Sequence, residues 1–419
     1  MDEKIRKPQV RFEGFEDDWE QRKLSEISDV RDGTHDSPQY VEKGHPFITS
    51  KNVGDGFINY NDIQYISDED YEEYNQRSKV EVNDILMGMI GTIGNIALVR
   101  SNPDFAIKNV ALIKDTKQVE YLYLYHYLES NAVKKQLDNF MDGGTQKFIA
   151  LGKLRNLGVT VPTIQEQIKV GSYLERLDNL ITLHQRKYDK LQNIKKSMLE
   201  KMFPKNGMKV PEIRFKGFID DWEQRKLDTT CSIITKQTGF DYSATIKPSL
   251  LTVKDINTYS FIQNKDFEGM NINLDTDFYI PINVAEKYPK ITLDQPSLLI
   301  SISGRIGNVG LYSLDSKAFI GGAVGICKLN NIEEGKTILY ELLSPVGQSY
   351  FSSLIKASSH ANITVEDIRN IKVLLPKTAE EQKKINDCFQ KIDNLITLHQ
   401  RKLEKLQNIK KSCLEKMFV

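Results

Sequence analysis

The sequence at residues 177–203, LDNLITLHQRKYDKLQNIKKSMLEKMF, returns at residues 392–418 as IDNLITLHQRKLEKLQNIKKSCLEKMF. Of these 27 aligned positions, 23 are identical. A second pair agrees almost as well, VRFEGFEDDWEQRKL at 10–24 and IRFKGFIDDWEQRKL at 213–227. The period exceeds 200 residues, far more than the roughly 20 to 50 residues of solenoid repeats. The repeating unit is therefore a whole domain together with its connector.

The repeated segment has the apolar spacing of an amphipathic helix, because its apolar residues recur every three or four positions. Such a helix leaves its apolar stripe in water unless another helix covers it, so each copy is the expected partner of the other. His184 and His399 are interpreted as interface residues that fix the register, with a ligand or switch role as the alternative. The predicted seam consists of Leu177, Ile181, His184, Tyr188, Leu191, Ile194, Met198, Ile392, Ile396, His399, Leu403, Leu406, Ile409 and Cys413.

The long helices are predicted to begin just after Pro162 and Pro376, where PTIQEQ and PKTAEEQ place acidic or amide residues behind a proline. Each helix then exceeds 35 residues. Between the repeated segments the two halves diverge and differ in length by 12 residues. Their short β-rich runs, separated by Gly and Asn, indicate mixed α/β globules. The predicted division is globular domains at 1–162 and 206–376, and helical spacers at 163–205 and 377–419.

Composition restricts the class of protein. The 57 basic and 57 acidic residues balance, which argues against a histone-like coat for nucleic acid, so that any DNA affinity must come from local patches. Four cysteines lie far apart without a CxxC pair, so neither a disulfide framework nor a zinc or other metal site is expected. We expect a cytoplasmic protein without a membrane partner, because neither a membrane-spanning apolar run nor a leader is visible.

This arrangement resembles the specificity subunit of type I restriction–modification systems. The duplicated LDNLITLHQRK helices carry the resemblance, supported by DGTHDSPQY at 32–40, NDILMGMIGTIGN at 83–95 and the P…EQ helix entries. The second half departs from the pattern, since TKQTGFDYS at 235–243 stands where a DGTH motif is expected.

The resemblance implies a mixed α+β fold in which two target-recognition domains are separated by two long antiparallel coiled-coil helices, arranged as a pseudo-twofold cyclic repeat. It implies a non-catalytic subunit that reads a bipartite, asymmetric target in double-stranded DNA. The implied partners are two adenine-N6 methyltransferase subunits and ATP-driven restriction (translocase) subunits. No cofactor is expected on this chain, and S-adenosylmethionine, ATP and Mg²⁺ are expected on the partner subunits.

Candidate DNA contacts are amide, guanidinium, ammonium and imidazole groups beside the sequence patterns that both halves share, because such groups reach base edges and phosphates. Ordinary surface polarity is an equally good explanation for any single member. In the first half the candidates are His35, Lys51, Asn52, Lys108, Asn109, Gln146 and Lys147. In the second half they are Lys236, Gln237, Lys254, Arg305, Ser359, His360 and Asn362, with Lys254 regarded as the counterpart of Lys51.

Two other classes of function compete with this interpretation. A self-contained methyltransferase or nuclease is disfavoured because NPDF at 102–105 lacks the second proline of an NPPF motif and no acidic nuclease pattern follows. GTIGN at 91–95 and GRIGN at 304–308 are interpreted as tight turns rather than cofactor loops. The sequence therefore offers no catalytic residue. A coiled-coil scaffold without a DNA role is the other rival. Trp19 and Trp222 are interpreted as packing residues, with partner docking as the alternative.

Overall fold

The structure, a computed structural model, describes residues 7–141, 147–205, 207–313, 315–357 and 362–419. The chain divides into two compact units, one formed by Met1–Gln185 with Arg401–Val419 and the other by Arg186–Gln400. Each unit contains one globular α/β domain and a segment of each long helix, so the predicted mixed α/β class is confirmed. Within the described ranges, no helix combines the length and the apolar character needed to cross a bilayer.

Among its described residues, the first half of the chain contains nine strands and six α-helices. The strands are β1 Glu20–Lys23, β2 Val30–Asp32, β3 His45–Thr49, β4 Gln64–Ile66, β5 Ile85–Gly88, β6 Ile96–Leu98, β7 Ala106–Lys108, β8 Val110–Ile113 and β9 Gly158–Val161. The helices are α1 Leu24–Ile27, α2 Asp68–Ser78, α3 Tyr121–Glu129, α4 Asn131–Phe140, α5 Leu151–Arg155 and the long α6 Ile164–Lys201. A four-stranded sheet has the order β2-β8-β5-β6, and a three-stranded sheet has the order β4-β3-β7.

The second half repeats this plan with additions. Its strands are β10 Glu223–Lys226, β11 Cys231–Lys236, β12 Thr258–Ile262, β13 Phe267–Glu268, β14 Asn271–Ile272, β15 Tyr279–Pro281, β16 Thr292–Leu293, β17 Ser297–Ser301, β18 Val309–Tyr312, β19 Ala318–Ile320, β20 Val324–Leu329 and β21 Lys372–Leu375. Its helices are α7 Gly239–Asp241, α8 Ile282–Ala285, α9 Ile332–Leu343, α10 Pro345–Ala357, α11 Val365–Arg369 and the long α12 Ala379–Lys416. The sheet order β11-β20-β17-β18 matches the four-stranded sheet of the first half, and β15-β12-β19-β16 extends the other.

A short antiparallel ribbon joins the beginning and the end of each globular domain. β1 pairs with β9 in the register Glu20↔Val161 to Lys23↔Gly158, and β10 pairs with β21 in the register Glu223↔Leu375 to Lys226↔Lys372. The first strand of each ribbon belongs to the repeated EQRK sequence, and the second leads directly into a long helix. The repeated segments therefore meet at the base of each domain, and the dissimilar interior lies between them.

The segments that precede the ribbons are fastened to the long helices by equivalent arginines. Arg11 Nε donates to Glu166 Oε1 at 2.7 Å in the first unit, and Arg214 Nε donates to Glu381 Oε1 at 2.6 Å in the second. The tryptophans of the repeated sequence are buried, with Trp19 at 1% and Trp222 at 2% exposure, and the Trp222 indole N–H donates to Glu381 Oε1 at 3.3 Å. Their interpretation as packing residues is confirmed.

The long helices α6 and α12 have 38 residues each, so the prediction of helices longer than 35 residues is confirmed. Their segments run antiparallel within each unit. In the first unit Asp178 contacts Lys410, and Tyr173, earlier on α6, contacts Cys413, later on α12. In the second unit Lys195 of α6 contacts Asp393 of α12, and Phe203, just after α6, contacts Phe389, earlier on α12, with 5.9 Å between ring centroids.

Exposure along the predicted seam is uneven. Its fully buried members are Leu177, Ile392, Ile396 and Leu403, and its half-buried members are Ile181, His184, Tyr188, Leu191, Met198, His399, Leu406, Ile409 and Cys413. Ile194 departs from the expectation with 38% exposure, and the next residue, Lys195, is directed inward to its carboxylate partner Asp393.

Candidate nucleic-acid interface

Three predicted contact residues of the first unit converge where β2 and β7 end. His35 lies in the loop after β2, and its Nδ1 is 2.6 Å from Asn109 Oδ1. Lys108 ends β7, and its Nζ donates to Ser37 Oγ at 2.7 Å in the same loop. Asn109 has a left-handed backbone with φ of 53°, which turns the chain sharply between β7 and β8. The His35 side chain is 63% exposed, so this loop presents an imidazole and an ammonium group to solvent.

Lys51 and Asn52 follow β3, which pairs in parallel with β7, and they lie beside this loop. Lys51 is exposed. Asn52 is 2% exposed; its Oδ1 accepts from the Thr49 N–H and hydroxyl, and its Nδ2 donates to the Asn59 carbonyl. The expectation that Asn52 contacts DNA is therefore corrected, because its amide is consumed in holding the turn together.

The GTIGN and GRIGN sequences form the same turn in both units. Gly91 and Gly304 have φ of 75° and 72°, and Gly94 and Gly307 have φ of 78° and 91°, a region that glycine occupies without strain. The interpretation of both sequences as tight turns is confirmed.

Further candidates surround this turn. In the first unit exposed Lys147 precedes Phe148, which bridges to Ile90 at the start of the turn. In the second unit exposed Arg305 lies on the turn, and exposed Asn362 bridges to Ser303. Lys147, Arg305 and Asn362 therefore lie at the rims of equivalent turns. The candidates Gln146, Ser359 and His360 lie outside the described residues.

Strand register corrects the alignment of the two halves around Lys51. Ile48 on β3 pairs with Ile107, and Ile262 on β12 pairs with Ile320, in equivalent parallel pairs. In the turns that follow, the Asn59 N–H donates to the Asn52 carbonyl and the Asn273 N–H donates to the Asp266 carbonyl, each at 2.7 Å. The counterpart of Lys51 is therefore Lys265, which is also exposed. Lys254, the predicted counterpart, lies exposed in the chain before β12.

The second unit has an equivalent of the loop after β2. β2 ends at Asp32 and β11 ends at Lys236, both on the edge strands of matching sheets. Thr34 and Thr238 therefore correspond, and each hydroxyl bonds an aspartate further along its own loop. Lys236 is exposed. Gln237 is 3% exposed, its Nε2 is 3.5 Å from the Ile320 carbonyl and its Oε1 has no partner among the described residues. The expectation that Gln237 contacts DNA is corrected because the side chain is buried.

Comparison with known proteins identifies these two related domains. The family model described as "Type I restriction modification DNA specificity domain" matches residues 16–193 and again residues 219–408. The chain belongs to the type I restriction–modification DNA specificity family. A putative type I restriction enzyme specificity subunit, MjaX of Methanocaldococcus jannaschii, is 26% identical over 95% of this chain and 92% of that protein. The EcoBI specificity subunit of Escherichia coli is 28% identical over 39% of this chain and 35% of its own length.

Solved structures show the same fold for this specificity subunit. The S subunit of a type I restriction–modification system from M. genitalium has a TM-score of 0.63 at 14% identity, with 99% of both chains covered. A chain from a study of the assembly and conformational transition of the type I R-M system has a TM-score of 0.50 at 17% identity, with 96% of this chain and 97% of that chain covered. Proteins of this kind are the non-catalytic subunits of their systems, so the rival classification as an enzyme is not supported.

A buried charged cluster on the first unit was missed in the sequence. Lys410 Nζ lies 2.7 Å from Asp178 Oδ1 and 3.2 Å from Glu129 Oε1. His126, whose side chain has no exposed surface, approaches Glu129 Oε2 with its Nδ1 at 2.8 Å. Burial alone would lower the pKa of Lys410, but the two carboxylates outweigh it and the pKa is raised. The sequence signal was present, because Asp178 and Lys410 are charged positions kept in both copies of the repeat.

The same cluster contains the metal-like grouping of His126, Glu175 and Asp178 among the described residues, with ligand atoms within 4.8 Å of one another. Its carboxylates already have cationic partners. Arg100 binds Glu175 through two bonds of 2.6 and 3.0 Å, and Lys410 binds Asp178. A divalent ion would have to displace both cations, so the arrangement suits an ion-pair network better than a metal centre.

Proposed function

We propose that the two domains read the two halves of a bipartite, asymmetric DNA sequence. The observation that supports this proposal is the combination of equivalent strand frameworks with different loop side chains. Thr92 on the turn of the first unit corresponds to Arg305 in the second, and His35 in the loop after β2 corresponds to Gly239. Hydroxyl and guanidinium groups recognise different base edges. Two unlike surfaces therefore select two unlike half-sites, whereas identical surfaces would favour a palindrome.

Domain exchange tests this proposal. Residues 25 to 160 are replaced by the matching region of another specificity subunit, and the methylome of cells expressing the chimera with a methyltransferase partner is sequenced. One half-site is expected to change and the other to stay, because each surface is built within a single unit. A chimera that methylates normally but has both half-sites altered contradicts the proposal.

We further propose two methyltransferase subunits as partners, docked on the outer faces of the long helices. Leu180 and Leu183 are 42% and 45% exposed, and their repeat equivalents Leu395 and Leu398 are 44% and 45% exposed. The two leucines of each pair lie three residues apart and therefore on one face of their helix, and contiguous exposed apolar surface is a feature of interaction sites. Since the repeat duplicates the surface, it supports two equivalent docking events.

The docking proposal is tested by counting bound partners. The mass of the complex is measured for the native chain, for Leu180→Glu with Leu183→Glu, and for Leu395→Glu with Leu398→Glu. Each double variant is expected to lose one of two methyltransferase subunits, and the quadruple variant both. Retention of two subunits by the quadruple variant rejects this surface.

The remaining elements of the proposal concern the wider complex. Restriction subunits that translocate DNA with ATP are proposed to join this assembly in the cytoplasm. S-adenosylmethionine, ATP and Mg²⁺ are proposed to bind those partner subunits and not this chain. Methyl transfer measured for the isolated chain, and again after addition of the methyltransferase, tests this division, with activity expected only in the second case.

A further inference from the structure

The charged cluster of the first unit has a counterpart in the second unit, built from the same positions of the repeat. Lys195 Nζ of α6 lies 2.6 Å from Asp393 Oδ1 of α12. The Tyr340 hydroxyl of α9 donates to Asp393 Oδ2 at 3.0 Å. Asp393 repeats Asp178 and Lys195 repeats Lys410. We call each set a clamp: His126, Glu129, Asp178 and Lys410 form the first, and Tyr340, Lys195 and Asp393 form the second.

Each clamp joins three helices of its unit. Two of them are segments of the long helices. The third is α3 in the first unit, which follows β8 in the sequence, and α9 in the second unit, which follows β20. The aspartate comes from α6 in the first unit and from α12 in the second, which is what an antiparallel pairing of duplicated helices produces. Both aspartates and both lysines are largely shielded, with side-chain exposures between 14% and 22%.

The charged groups of the clamps are better suited to fixing how the helices are positioned than to raising the free energy of unfolding. A shielded ion pair contributes little net stability compared with an apolar pair of the same size, because desolvation offsets the attraction. Its charge-assisted hydrogen bonds are directional, whereas apolar side chains tolerate sliding and repacking. A buried polar contact at a helix interface is known to fix register at a cost in stability.

We propose that the two clamps are positioning residues that fix the orientation of each recognition domain on the helix pair, and thereby restrict methylation to a single spacer length. This inference rests on the proposed bipartite recognition. Loosening a clamp leaves the loops that read bases unchanged but lets one domain adopt several orientations. Several spacer lengths then become acceptable.

The test replaces the second clamp by an apolar pair, Asp393→Leu with Lys195→Met, and measures methylation of a DNA panel by the chain with its methyltransferase partner. The panel holds both half-sites constant and varies the spacer by one base pair in either direction around the native length. The double variant is expected to lower the preference for the native spacer by up to about a hundredfold, since a misplacement of about 1 Å can change a rate by that factor. Its half-site bases should be unchanged. Tyr340→Phe removes a single hydroxyl and serves if the double variant does not fold.

The Asp–Lys pair lies beside the carboxylate Glu129 in the first clamp and beside the neutral Tyr340 in the second. Exchanging the two charges of the pair should therefore affect the two clamps differently. Asp393→Lys with Lys195→Asp keeps one cation and one anion beside the neutral Tyr340, so strict spacing is expected to return. Asp178→Lys with Lys410→Asp places a carboxylate at position 410 beside Glu129, so strict spacing is not expected there. Glu380→Gln with Lys384→Met removes an exposed ion pair of α12, with side chains 72% and 45% exposed, and controls for loss of charge on this helix.

Two outcomes separate the clamp from the underlying function. If the native chain directs methylation to no bipartite site, the proposed function fails. If the native chain does so, and the folded Asp393→Leu, Lys195→Met variant keeps its strict preference for one spacer, the positioning role of the clamp is overturned and the proposed function stands.

Discussion

Glu341 offers a sharp test of the packing in the second unit, because it is a carboxyl group buried without a charge partner. Glu341 is 4% exposed. Oε1 accepts a long bond of 3.5 Å from the Leu374 N–H, and Oε2 has no hydrogen-bond partner among the residues that the structure describes. Burial raises the pKa of this carboxyl group from 4.5 to about 8. The folded protein therefore holds a neutral Glu341 at neutral pH.

The sign of the effect follows from proton linkage. The folded state binds this proton more tightly than the unfolded state, so the free energy of unfolding falls as pH rises from 4.5 towards 8. At 1.36 kcal/mol per pKa unit the whole effect is roughly 5 kcal/mol, of which about 4 kcal/mol falls between pH 5 and pH 9. Glu341→Gln has no proton to lose. Between pH 5 and pH 9, the free energy of unfolding of the native chain is therefore expected to fall by about 4 kcal/mol relative to that of the Glu341→Gln variant.

Urea unfolding at pH 5 and pH 9 measures this difference. In a Trp19→Phe background, fluorescence reports Trp222 alone, which is buried in the same unit as Glu341. Glu380→Gln removes a carboxylate that is 72% exposed and should follow the native pH dependence. If Glu341→Gln and the native chain keep a constant difference from pH 5 to pH 9, burial does not hold the proton and the reasoning is refuted.

Three further predictions address the clamps, the DNA contacts and the helices. Lys410→Met is expected to destabilise the first unit by about 3–5 kcal/mol, because it leaves two shielded carboxylates without their cation. Lys195→Met leaves one shielded carboxylate without its cation and is expected to destabilise the second unit less, and urea unfolding of the two variants measures the difference. Lys51→Ala is expected to weaken binding to all DNA sequences and to lower the salt slope by about one, and an unchanged slope removes it from the phosphate contacts. Four residues inserted in both long helices add about 6 Å, so at ~3.4 Å per base pair the spacer in the methylome should lengthen by one or two pairs; an unchanged spacer shows that the helices do not set it.

Local signals made the long helices and the tight turns predictable. The start of α6 at Ile164 and of α12 at Ala379 follows the proline and acidic pattern, which acts within one helical turn. The turn around Gly91 and Gly94 needs left-handed backbone, and glycine supplies it without reference to the rest of the chain. Duplication strengthened each of these signals, because the same pattern occurred twice.

Features that depend on contacts between residues far apart in the sequence could not be predicted from the sequence alone. The equivalence of Lys51 with Lys265 depends on the parallel pairing of β12 with β19 and on the turn after β12, and the paired residues of β12 and β19 are almost 60 positions apart. Asn52 was a plausible contact by residue type, but its amide is satisfied by a turn that forms only when the chain folds back to Asn59. The clamps were not predicted because an apolar seam was expected at the helix interface, so that charged residues were placed on the solvent face.

The two-stranded ribbons at the base of each domain have a consequence for inheritance. Because the first and last strands of a domain are hydrogen-bonded neighbours, about 5 Å apart, an interior of different length can be substituted without displacing either end. The interiors of the two halves, which differ by 12 residues, show that this freedom has been used. The repeated amino-acid segments on either side of an interior can therefore stay in place when that interior is exchanged. A new interior brings a new recognition surface, while every surface built from the repeated segments stays as it was.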